Sequence, residues 1–377
     1  MRPPNLREIL IAAAVIIGLG LLWSMKDLPG FGGFLDEPDV WFAGSDPRPG
    51  EQAPRRLVLA VFSTPREMYE QDIIPAFERH WHQTQGEEIE VEASFRGSRA
   101  QARAIVAGFE ADVAALAWEP DMQALVAGGL VEADWRDDGW GGMISSSYVI
   151  MATRSGNPLE IQRWEDLTRP DVELLLADPR SSGEGMWGLA ALYGAALRGQ
   201  AHVPPDDHEA AVAFVSQVLA RVVVMDESAA ESLETFAQGV GDVVITYQDE
   251  LVAARLQGQS WVRVVPEASV LVEHPIAVVD DYAQRHGNQD LAEAFVRFTR
   301  QPVVQEQLKR RGYGPPPALD RAGPMFGPKR PADLFTIEDL GGWAGATQLL
   351  LESGGVLEQF LGELGHLGLS TASEGSP

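Results

Sequence analysis

The sequence contains no cysteine in its 377 residues. This absence excludes catalysis by a thiolate, zinc sites with cysteine ligands, disulfide bonds and a membrane anchor made by a lipid-modified cysteine. The chain must therefore rely on packing and hydrogen bonds, and at this length it can form about two domain cores. Its contents of 45% hydrophobic and 22% charged residues are typical of a globular protein.

Basic residues are scarce. The chain has 29 Lys and Arg against 55 Asp and Glu, which gives a formal net charge of −26. Nucleic-acid binding needs clustered Lys and Arg to neutralise phosphates, so this composition argues against a nucleic-acid partner. The same excess of acid would repel free anions unless a binding site were locally positive.

The sequence signatures of common enzyme and cofactor sites are also missing. It has no Gly-x-Ser-x-Gly, no phosphate loop ending in Gly-Lys-Ser/Thr, no His-Glu-x-x-His and no calcium loop. His80 and His82 point about 200° apart on a predicted helix, so they cannot easily share one metal. We therefore predict no enzymatic activity, no cofactor and no metal site.

A long hydrophobic run occurs at the N-terminus. Residues 9–25 are uncharged and nearly all apolar, and Arg2 and Arg7 precede them. As a helix this run spans roughly 25 Å, close to the hydrocarbon thickness of a bilayer. No small-residue cleavage site follows, so residues 1–26 predict an uncleaved anchor in the lipid bilayer, with a cleaved signal peptide as the alternative. The positive flank places the N-terminus in the cytoplasm and the bulk of the chain outside, in the periplasm or extracellular space.

Residues 27–55 are rich in Pro, Gly and acid and predict a tether. After the tether, apolar runs alternate with segments of helical spacing. Thr64 with Glu67, and Ser98 with Gln101, have capping-box spacing at two predicted helix starts. The first of these helices is predicted to have one apolar face, formed by Tyr69, Ile73, Phe77 and Trp81. The alternation predicts an α/β protein with mostly parallel sheets and sites at their carboxyl edges. The predicted strands cover residues 57–62, 88–94, 111–117, 148–153, 174–177, 222–225 and 242–247.

One loop of this pattern is suited to anion binding. The apolar run 172–177 predicts a strand, and residues 187–197 have helical spacing. Between them lie a proline, two serines and two glycines, so backbone N–H groups at the start of the helix can point at an anion. An ordinary capped turn is the alternative interpretation.

Many residues occur in the order in which one known family has them, and in-order matches along some 300 residues are more specific than any single motif. On these residues the chain, from about Leu57 to Leu361, resembles the periplasmic sulfate/thiosulfate-binding proteins of ABC importers. The matching residues are Arg66-Glu-Met-Tyr69, Ala76-Phe77, His80-Trp81, Gly97-Ser98, Gln101-Ala102, Glu110-Ala-Asp-Val113, Gly156-Asn-Pro158, Trp164-Glu-Asp-Leu167, Pro179-Arg-Ser-Ser-Gly183, Trp187, Thr235-Phe236, Gly241-Asp-Val243, Val278-Val-Asp280, Leu334-Phe-Thr-Ile337 and Gly341-Gly-Trp343.

The resemblance implies a type II periplasmic-binding-protein fold, in which two α/β lobes are joined by two crossing strands. One lobe would comprise residues 56–147 plus 248–345 and the other residues 148–247, followed by a C-terminal helix and tail at 346–377. It also implies an extracytoplasmic solute-binding protein of an ABC importer. Such a protein binds a small oxyanion or another anionic solute between the lobes and delivers it to permease subunits in the membrane.

The resemblance further implies a set of ligand-binding positions. Proteins of this family hold a dehydrated dianion with backbone N–H groups at helix starts, together with hydroxyl and indole donors. Here Ser98 keeps a donor hydroxyl, Ser182 and Gly183 keep the anion loop, and Ala229 keeps a backbone amide position. Two further positions are altered: Ser63 replaces an Asp and Tyr247 replaces a Trp.

Several positions depart more strongly from the family. Glu184 replaces the second glycine of the anion loop, Ala230 replaces an Arg, and Glu231 follows it. A carboxylate about 6 Å from a dianion costs on the order of 3 kcal/mol per unit charge at an effective dielectric near 20. Arg96 and Arg99 stand where the family has small residues and would offset this repulsion if they point inward.

Glu184 has two interpretations. If it faces the cleft it opposes a bound anion, whereas the spacing Ser181-x-x-Glu184, like Ser228-x-x-Glu231, also fits a capping box in which the carboxylate folds back onto the helix start. Two hypotheses for function follow. Either the cleft binds a small anion, or the chain is a membrane-anchored sensor or partner-binding module that has lost high-affinity sulfate binding.

Overall fold

A computed structural model of the chain describes residues 54–319, residues 330–351 and residue 355. The predicted anchor and nearly all of the tether lie outside the described residues. Within them, no helix is both long and apolar enough to cross a membrane. The described strands are β1 (Arg55–Phe62), β2 (Ile89–Arg96), β3 (Val113–Ala115), β4 (Met143–Thr153), β5 (Leu174–Leu175), β6 (Val222–Val224), β7 (Val243–Tyr247), β8 (Val262–Val264), β9 (Ala268–Val278) and β10 (Asp333–Phe335).

Helices alternate with most of these strands. A short α-helical turn, Arg66–Met68, and a π-helical segment, Tyr69–Ile73, lead directly into the first long helix, which begins at Ile74. Two 3-10 turns occupy Trp164–Thr168 and Ile337–Leu340. The α-helices are α1 (Ile74–Gln85), α2 (Ser98–Val106), α3 (Glu119–Ala127), α4 (Gly183–Leu197), α5 (His208–Leu219), α6 (Ala229–Ala237), α7 (Gln248–Leu256), α8 (Asp280–His286), α9 (Gln289–Thr299), α10 (Pro302–Arg310) and α11 (Gly342–Leu351).

The strands run in the order β2-β1-β3-β9-β4-β7-β5-β6. We call the part around β2, β1 and β3 the first lobe and the part around β7, β5 and β6 the second lobe. The long strands β4 and β9 lie between them and pair antiparallel, for example at Tyr148 with Leu271. This arrangement confirms two α/β lobes joined by two crossing strands.

Pairing is parallel inside each lobe and antiparallel where β4 and β9 join β3, β7 and each other, whereas β10 pairs in parallel with β9. The predicted first strand is confirmed as β1, and β4 starts at Met143, before the predicted start at residue 148. Strand β9 was not predicted from the pattern, because a strand buried along almost its whole length lacks the polar alternation of a half-exposed one.

The first core lies against β1 and β3. Its helix face is the one expected from the sequence, since the four apolar side chains, spaced four residues apart, are all buried. Phe77 packs edge-on against Phe295 of α9, with ring centroids 5.0 Å apart. The buried residues of that helix face are Tyr69, Ile73, Phe77 and Trp81.

The second core surrounds α4, in which every residue from Gly183 to Ala196 is buried. A helix that is apolar all round is one enclosed by other elements, and α4 packs against β9 and α5. Gly194 allows the close approach of Phe335 from β10, because a Cβ there would stand 2.4 Å from ring atoms.

The exact division into lobes stays a prediction. Strand β8 pairs with β4 and β10 pairs with β9, on the side of the sheet that faces the second lobe. Trp343 of α11 packs against Trp187 of α4, with ring centroids 5.3 Å apart. These contacts favour assigning β8, β10 and α11 to the second lobe, although the sequence placed residues up to 345 in the first. The C-terminal helix begins at Gly342 and not at residue 346.

Candidate functional site: a cleft closed by three helix starts

The starts of three helices meet where the two lobes touch. A Cβ on Gly97, the residue before α2, would stand 2.6 Å from the carbonyl oxygen of Ser181 and 2.8 Å from that of Glu227. Ser181 lies just before α4 and Glu227 just before α6. The N–H of Ala100 donates to the Ser181 carbonyl over 3.1 Å. The first turn of α2 therefore touches the starts of α4 and α6 from the opposite lobe, and the cleft is closed.

Ser98 and Gly183 lie side by side in this contact. Ser98 is the buried first residue of α2, and its Oγ donates to Asp121 Oδ2 over 2.7 Å and accepts from the Ala117 N–H over 3.1 Å. A Cβ on Gly183, the first residue of α4, would stand 3.1 Å from Ser98 Cβ and 3.0 Å from Trp118 Cβ. The structure thus brings these two predicted residues together.

Ser63 and the start of α6 form a second contact between the lobes. The Ser63 Oγ accepts from the Ala230 N–H over 3.4 Å. Ala229 is the buried first residue of α6, and the preceding Ser228 accepts from the Glu231 N–H over 3.3 Å. The predicted cap at Ser228 is confirmed, and Ser63 lies beside the amides that follow it.

Ser182 and Tyr247 complete the predicted set. Ser182 is the buried N-cap of α4, and its N–H donates to the Asp178 carbonyl over 2.8 Å. Tyr247 ends β7, and its buried hydroxyl has no hydrogen-bond partner among the described residues. The Tyr247 ring packs beside that of His274 on β9, with centroids 5.7 Å apart. Its hydroxyl is available to a ligand or to a neighbouring carboxyl group.

A cavity of about 220 Å³ is lined by Ser63 but by none of the other five predicted ligand-binding residues, and it is large enough for several water molecules. Its walls include Ser63 and Thr64 from the first lobe, Ala230 from the second, and Glu250 and Trp261. A larger groove of about 690 Å³ runs along α5 and is lined by none of the predicted site residues.

The two predicted tuning arginines have different positions. Arg96 ends β2 and is exposed. Arg99 is half-buried, and its guanidinium donates to the Pro179 carbonyl of the opposite lobe over 3.1 Å and lies 3.8 Å from an Asp121 oxygen. Arg99 therefore joins the lobes, whereas Arg96 takes no part in that contact.

The two capping-box glutamates also differ. Glu231 is exposed, and its carboxylate accepts from the Glu227 N–H over 3.1 Å. Glu184, the second residue of α4, is only 2% exposed. Neither of its oxygens accepts a hydrogen bond from a donor in the described part of the chain. The capping interpretation of Glu184 is therefore wrong, because its side chain extends into the protein and does not fold back onto the helix start.

The capping boxes predicted at Thr64 and Ser98 are also wrong. The helical turn after Thr64 has Pro65 at its N-cap and no side-chain cap, and α2 has Gly97 at its N-cap. The Gln101 amide instead donates to the Val61 carbonyl over 3.0 Å. The contact between the lobes explains why glycine is the N-cap of α2. Only glycine at position 97 leaves room for the carbonyl oxygens of Ser181 and Glu227.

Glu184 belongs to a buried group of three carboxyls. Its carboxyl lies against that of Glu250 and close to Asp249, the neighbouring residues at the start of α7. Thr246 donates to Glu250 Oε2, the Tyr247 N–H donates to the same oxygen over 3.3 Å, and one Asp249 oxygen accepts from a serine hydroxyl. Burial and then the charge of Glu250 raise the pKa of Glu184 well above its ordinary value. Burial likewise raises the pKa of Glu250, and that of Asp249 to about 7.

Asp121 is a further buried acid that sequence reasoning missed. Burial raises its pKa to about 7, against the hydrogen bond from Ser98 and the charge of Arg99. No local signal marks it, because it lies in the first turn of α3, where an acidic residue is expected on any helix. For Glu250 and Asp249 the available signal was their position directly after the strand that ends at Tyr247.

The arrangement is suited chemically to a small anion. The first turns of α2, α4 and α6 each carry N–H groups without intrahelical acceptors and a partial positive charge. In the part of the chain that is described, no group of three His, Asp or Glu side chains is arranged to hold a metal ion. The feature unsuited to an anion is the buried acid group headed by Glu184.

Comparison with known proteins agrees with this geometry. The family model described as "Bacterial extracellular solute-binding protein" matches residues 57–314. The sulfate-binding protein of Synechococcus elongatus is 33% identical over 298 residues, which are 78% of this chain and 83% of that protein. The thiosulfate-binding protein of Escherichia coli is 30% identical over 318 residues, which are 81% of this chain and 90% of that protein.

Solved structures agree on the fold. The sulfate-binding protein SubI from Mycobacterium tuberculosis matches with a TM-score of 0.70 at 31% identity, covering 79% of this chain and 99% of that one. The periplasmic binding protein AfuA from Actinobacillus pleuropneumoniae matches with a TM-score of 0.58, covering 84% of this chain and 99% of that one. Because its sequence identity is only 18%, the second match supports the fold alone. The two-lobed periplasmic-binding-protein architecture is thereby confirmed.

Proposed function

The chain belongs to the bacterial extracellular solute-binding protein family, and we propose that it is the solute-binding component of an ABC importer. Its ligand is a small oxyanion, with sulfate the first candidate because relatives at 30–33% identity are named for sulfate and thiosulfate. The anion is held between the lobes and delivered to permease subunits in the membrane.

The observation that carries this proposal is the meeting of three helix starts at one point between the lobes. Backbone N–H groups near Ser98, Gly183 and Ala229 supply fixed donors there, and helix dipoles favour negative charge. Ser63, Ser182 and Tyr247 add side-chain oxygens close by. Such neutral donors suit a fully ionised anion, because they offer it hydrogen bonds without a competing charge.

The placement of the protein in the cell is part of the proposal. Residues 1–26 anchor the chain in the cell membrane with the N-terminus in the cytoplasm, and residues 27–55 hold the binding lobes outside. A binding protein tethered in this way stays close to its permease. This raises their effective concentration without the lipid-modified cysteine that the sequence lacks. The protein is not an enzyme.

Removal of a single backbone donor tests the site. Ala229 is the first residue of α6, where proline is well tolerated and its fixed backbone angle suits a helix. Ala229→Pro deletes one N–H and should weaken sulfate binding to the full-length protein about 10- to 100-fold, the range expected for a hydrogen bond to a charge. Ala229→Gly keeps the N–H and should change affinity only a few-fold.

Isothermal titration calorimetry with sodium sulfate, then thiosulfate and phosphate, measures the effect. Equal affinities of the two variants would show that the α6 start does not contact the anion. If the wild type binds none of these anions, the second hypothesis applies. The protein would then be a membrane-anchored sensor or partner-binding module that keeps the fold.

A further inference from the structure

Three acidic side chains are buried together behind the proposed anion site. Glu184, Asp249 and Glu250 are each at most 3% exposed. Glu184 is the second residue of the helix whose first residue, Gly183, contacts the opposite lobe. The three acids are therefore connected through Glu184 to the start of α4, one of the helix starts that form the cleft.

Among the described residues, the hydrogen bonds to these carboxyls come from hydroxyls and one backbone N–H, and none of these donors carries a charge. Both Glu184 oxygens, Glu250 Oε1 and Asp249 Oδ2 lack a hydrogen-bond donor in the described part of the chain. The Thr246 hydroxyl and the Tyr247 N–H are both directed to Glu250 Oε2. The carboxyls of Glu184 and Glu250 lie against one another. Two carboxyls in contact can form a hydrogen bond only when one of them holds a proton.

The groups that face this cluster come from both lobes. Thr64 of the first lobe lies against Glu250, and Tyr313, which follows α10, lies against Asp249. Tyr69 of the π-helical segment lies close to Tyr313. His274 of β9, whose pKa burial lowers to about 3, packs beside Tyr247 and is neutral. The neighbours that act most strongly on Glu184, Asp249 and Glu250 are therefore carboxyls and hydroxyls, and none of them supplies a positive charge.

A cleft that exchanges solute must open, and opening separates Thr64 and its neighbours from the second lobe. Water then reaches Glu184 and Glu250, and a solvated carboxyl has its ordinary pKa near 4.3. Closing the lobes over an anion removes that water and adds a second source of negative charge. Both changes destabilise an ionised Glu184, through lost hydration and through repulsion from the anion. A protonated Glu184 carries no charge and avoids both effects.

From this geometry we propose that the cleft captures its anion together with about one proton, which stays on the Glu184 carboxyl in the closed state, where the Glu184 O–H donates a hydrogen bond to Glu250. This inference rests on the proposed function as an anion-binding protein. Glu184 then acts as a specificity-determining residue, since its protonation removes a negative charge that would oppose a bound dianion. Buried carboxylic acids that stay protonated at neutral pH serve as hydrogen-bond donors in other proteins.

The direction of the pH effect follows. The pKa of Glu184 is raised in the closed state, so the closed, anion-bound state holds more protons than the open one. Affinity is then highest at low pH and falls as the pH rises from the ordinary carboxyl value toward the raised one. For one coupled proton the fall is up to tenfold per pH unit.

Calorimetry of sodium sulfate binding to the full-length protein between pH 5 and pH 8 tests the proposal. Runs at one pH in phosphate-free buffers of different ionisation enthalpy give the number of protons taken up. We expect about one proton per sulfate and affinity that increases as the pH falls. Sulfate binding with no pH dependence and no proton uptake overturns the inference and leaves the proposed function intact. Absence of sulfate binding at every pH contradicts the proposed function itself.

Two substitutions locate the proton. Glu184→Gln keeps the size and a donor but cannot titrate, and Glu184→Gly removes the side chain. Both should take up about one proton fewer per sulfate than the wild type, and Glu184→Gln should lose less affinity than the wild type between pH 5 and pH 8. Glu209→Gln, in the first turn of α5 but exposed, is the matched control and should keep the wild-type pH dependence. Proton uptake in Glu184→Gln equal to that of the wild type would overturn the assignment to Glu184.

Discussion

Gly183 and Ser98 lie so close that a methyl group on Gly183 would stand 3.1 Å from the Cβ of Ser98. Gly183 begins α4 in the second lobe, and Ser98 begins α2 in the first. The same methyl group would meet Trp118 Cβ at 3.0 Å and Ala117 Cβ at 3.2 Å. All three neighbours are first-lobe positions, so the absence of a side chain at Gly183 is what lets the lobes close to this distance.

Substitution of Gly183 should therefore oppose closure. Gly183→Ala places a methyl group against atoms close to the backbone, which cannot move aside as a flexible side-chain end can. Overpacking of this kind costs about 1–3 kcal/mol, and the lobes can relieve it by staying apart. We expect sulfate affinity, measured by calorimetry, to fall about 10- to 100-fold, with little change in the thermal stability of the ligand-free protein.

Gly128→Ala is the matched control for this experiment. A Cβ at Gly128, at the end of α3, would meet its nearest neighbour at 3.4 Å, an ordinary contact distance. Its affinity for sulfate should equal that of the wild type. Unchanged affinity in Gly183→Ala would show that the contact between α4 and α2 is not part of the binding state.

Sequence reasoning succeeded where the signal is local. The strand, glycine-containing loop and helix around Gly183 could be predicted from neighbouring residues, and so could the buried face of α1 that includes Phe77. The convergence of Ser63, Ser98 and Ala229 came from the family resemblance, because these residues lie far apart in the chain. The periodicity of apolar residues along the chain does not show which distant residues meet in the folded protein.

Sequence reasoning failed where the contact between the lobes decides the outcome. Capping-box spacing at Ser98 predicts that Ser98 is the N-cap, but Gly97 occupies that position because the Ser181 carbonyl approaches it. The spacing at Glu184 is likewise misleading, since its partner is Glu250, 66 positions later in the chain (250 − 184). Burial next to an acid that is distant in the sequence depends on the tertiary structure, so the local sequence around Glu184 cannot predict it.

The two arginines near the start of α2 give a paired test. Arg99 donates to the Pro179 carbonyl across the cleft, whereas Arg96 is exposed. Arg99→Ala should weaken sulfate binding roughly tenfold, as expected for the loss of a hydrogen bond from a charged donor in a half-exposed position. Arg96→Ala should change affinity less than twofold in 0.15 M salt. Calorimetry at low and high salt separates a direct contact from long-range attraction, because only the latter is strongly screened. Equal losses in both variants would contradict a specific role for Arg99.

The proposed anchor predicts a topology. Because Arg2 and Arg7 precede the apolar run 9–25, an alkaline phosphatase fused after residue 377 should be active, since this enzyme folds only outside the cytoplasm, and a cytoplasmic reporter at the same place should be silent. Intact-mass spectrometry of the membrane fraction should find residues 1–26 retained. A mature protein that starts after the apolar run would show that the segment is a cleaved signal peptide, and a silent phosphatase fusion would contradict the orientation.

Asp121 predicts a measurable dependence of stability on pH. Its pKa is raised by burial to about 7 in the folded protein, against about 3.9 in an unfolded chain. The folded state therefore binds the extra proton, so the stability that neutral Asp121 contributes is complete below about pH 4 and is lost as the pH rises to 7.

The substitution Asp121→Asn tests this dependence, because asparagine stays neutral and can still accept a hydrogen bond from Ser98. Its free energy of unfolding relative to wild type should rise by about 4 kcal/mol between pH 4 and pH 7, at 1.36 kcal/mol per pH unit. Urea unfolding at both pH values measures this, with the exposed Asp137→Asn as the control that should follow the wild type. A relative stability that does not change with pH would show that Asp121 stays ionised against Arg99 in the folded protein.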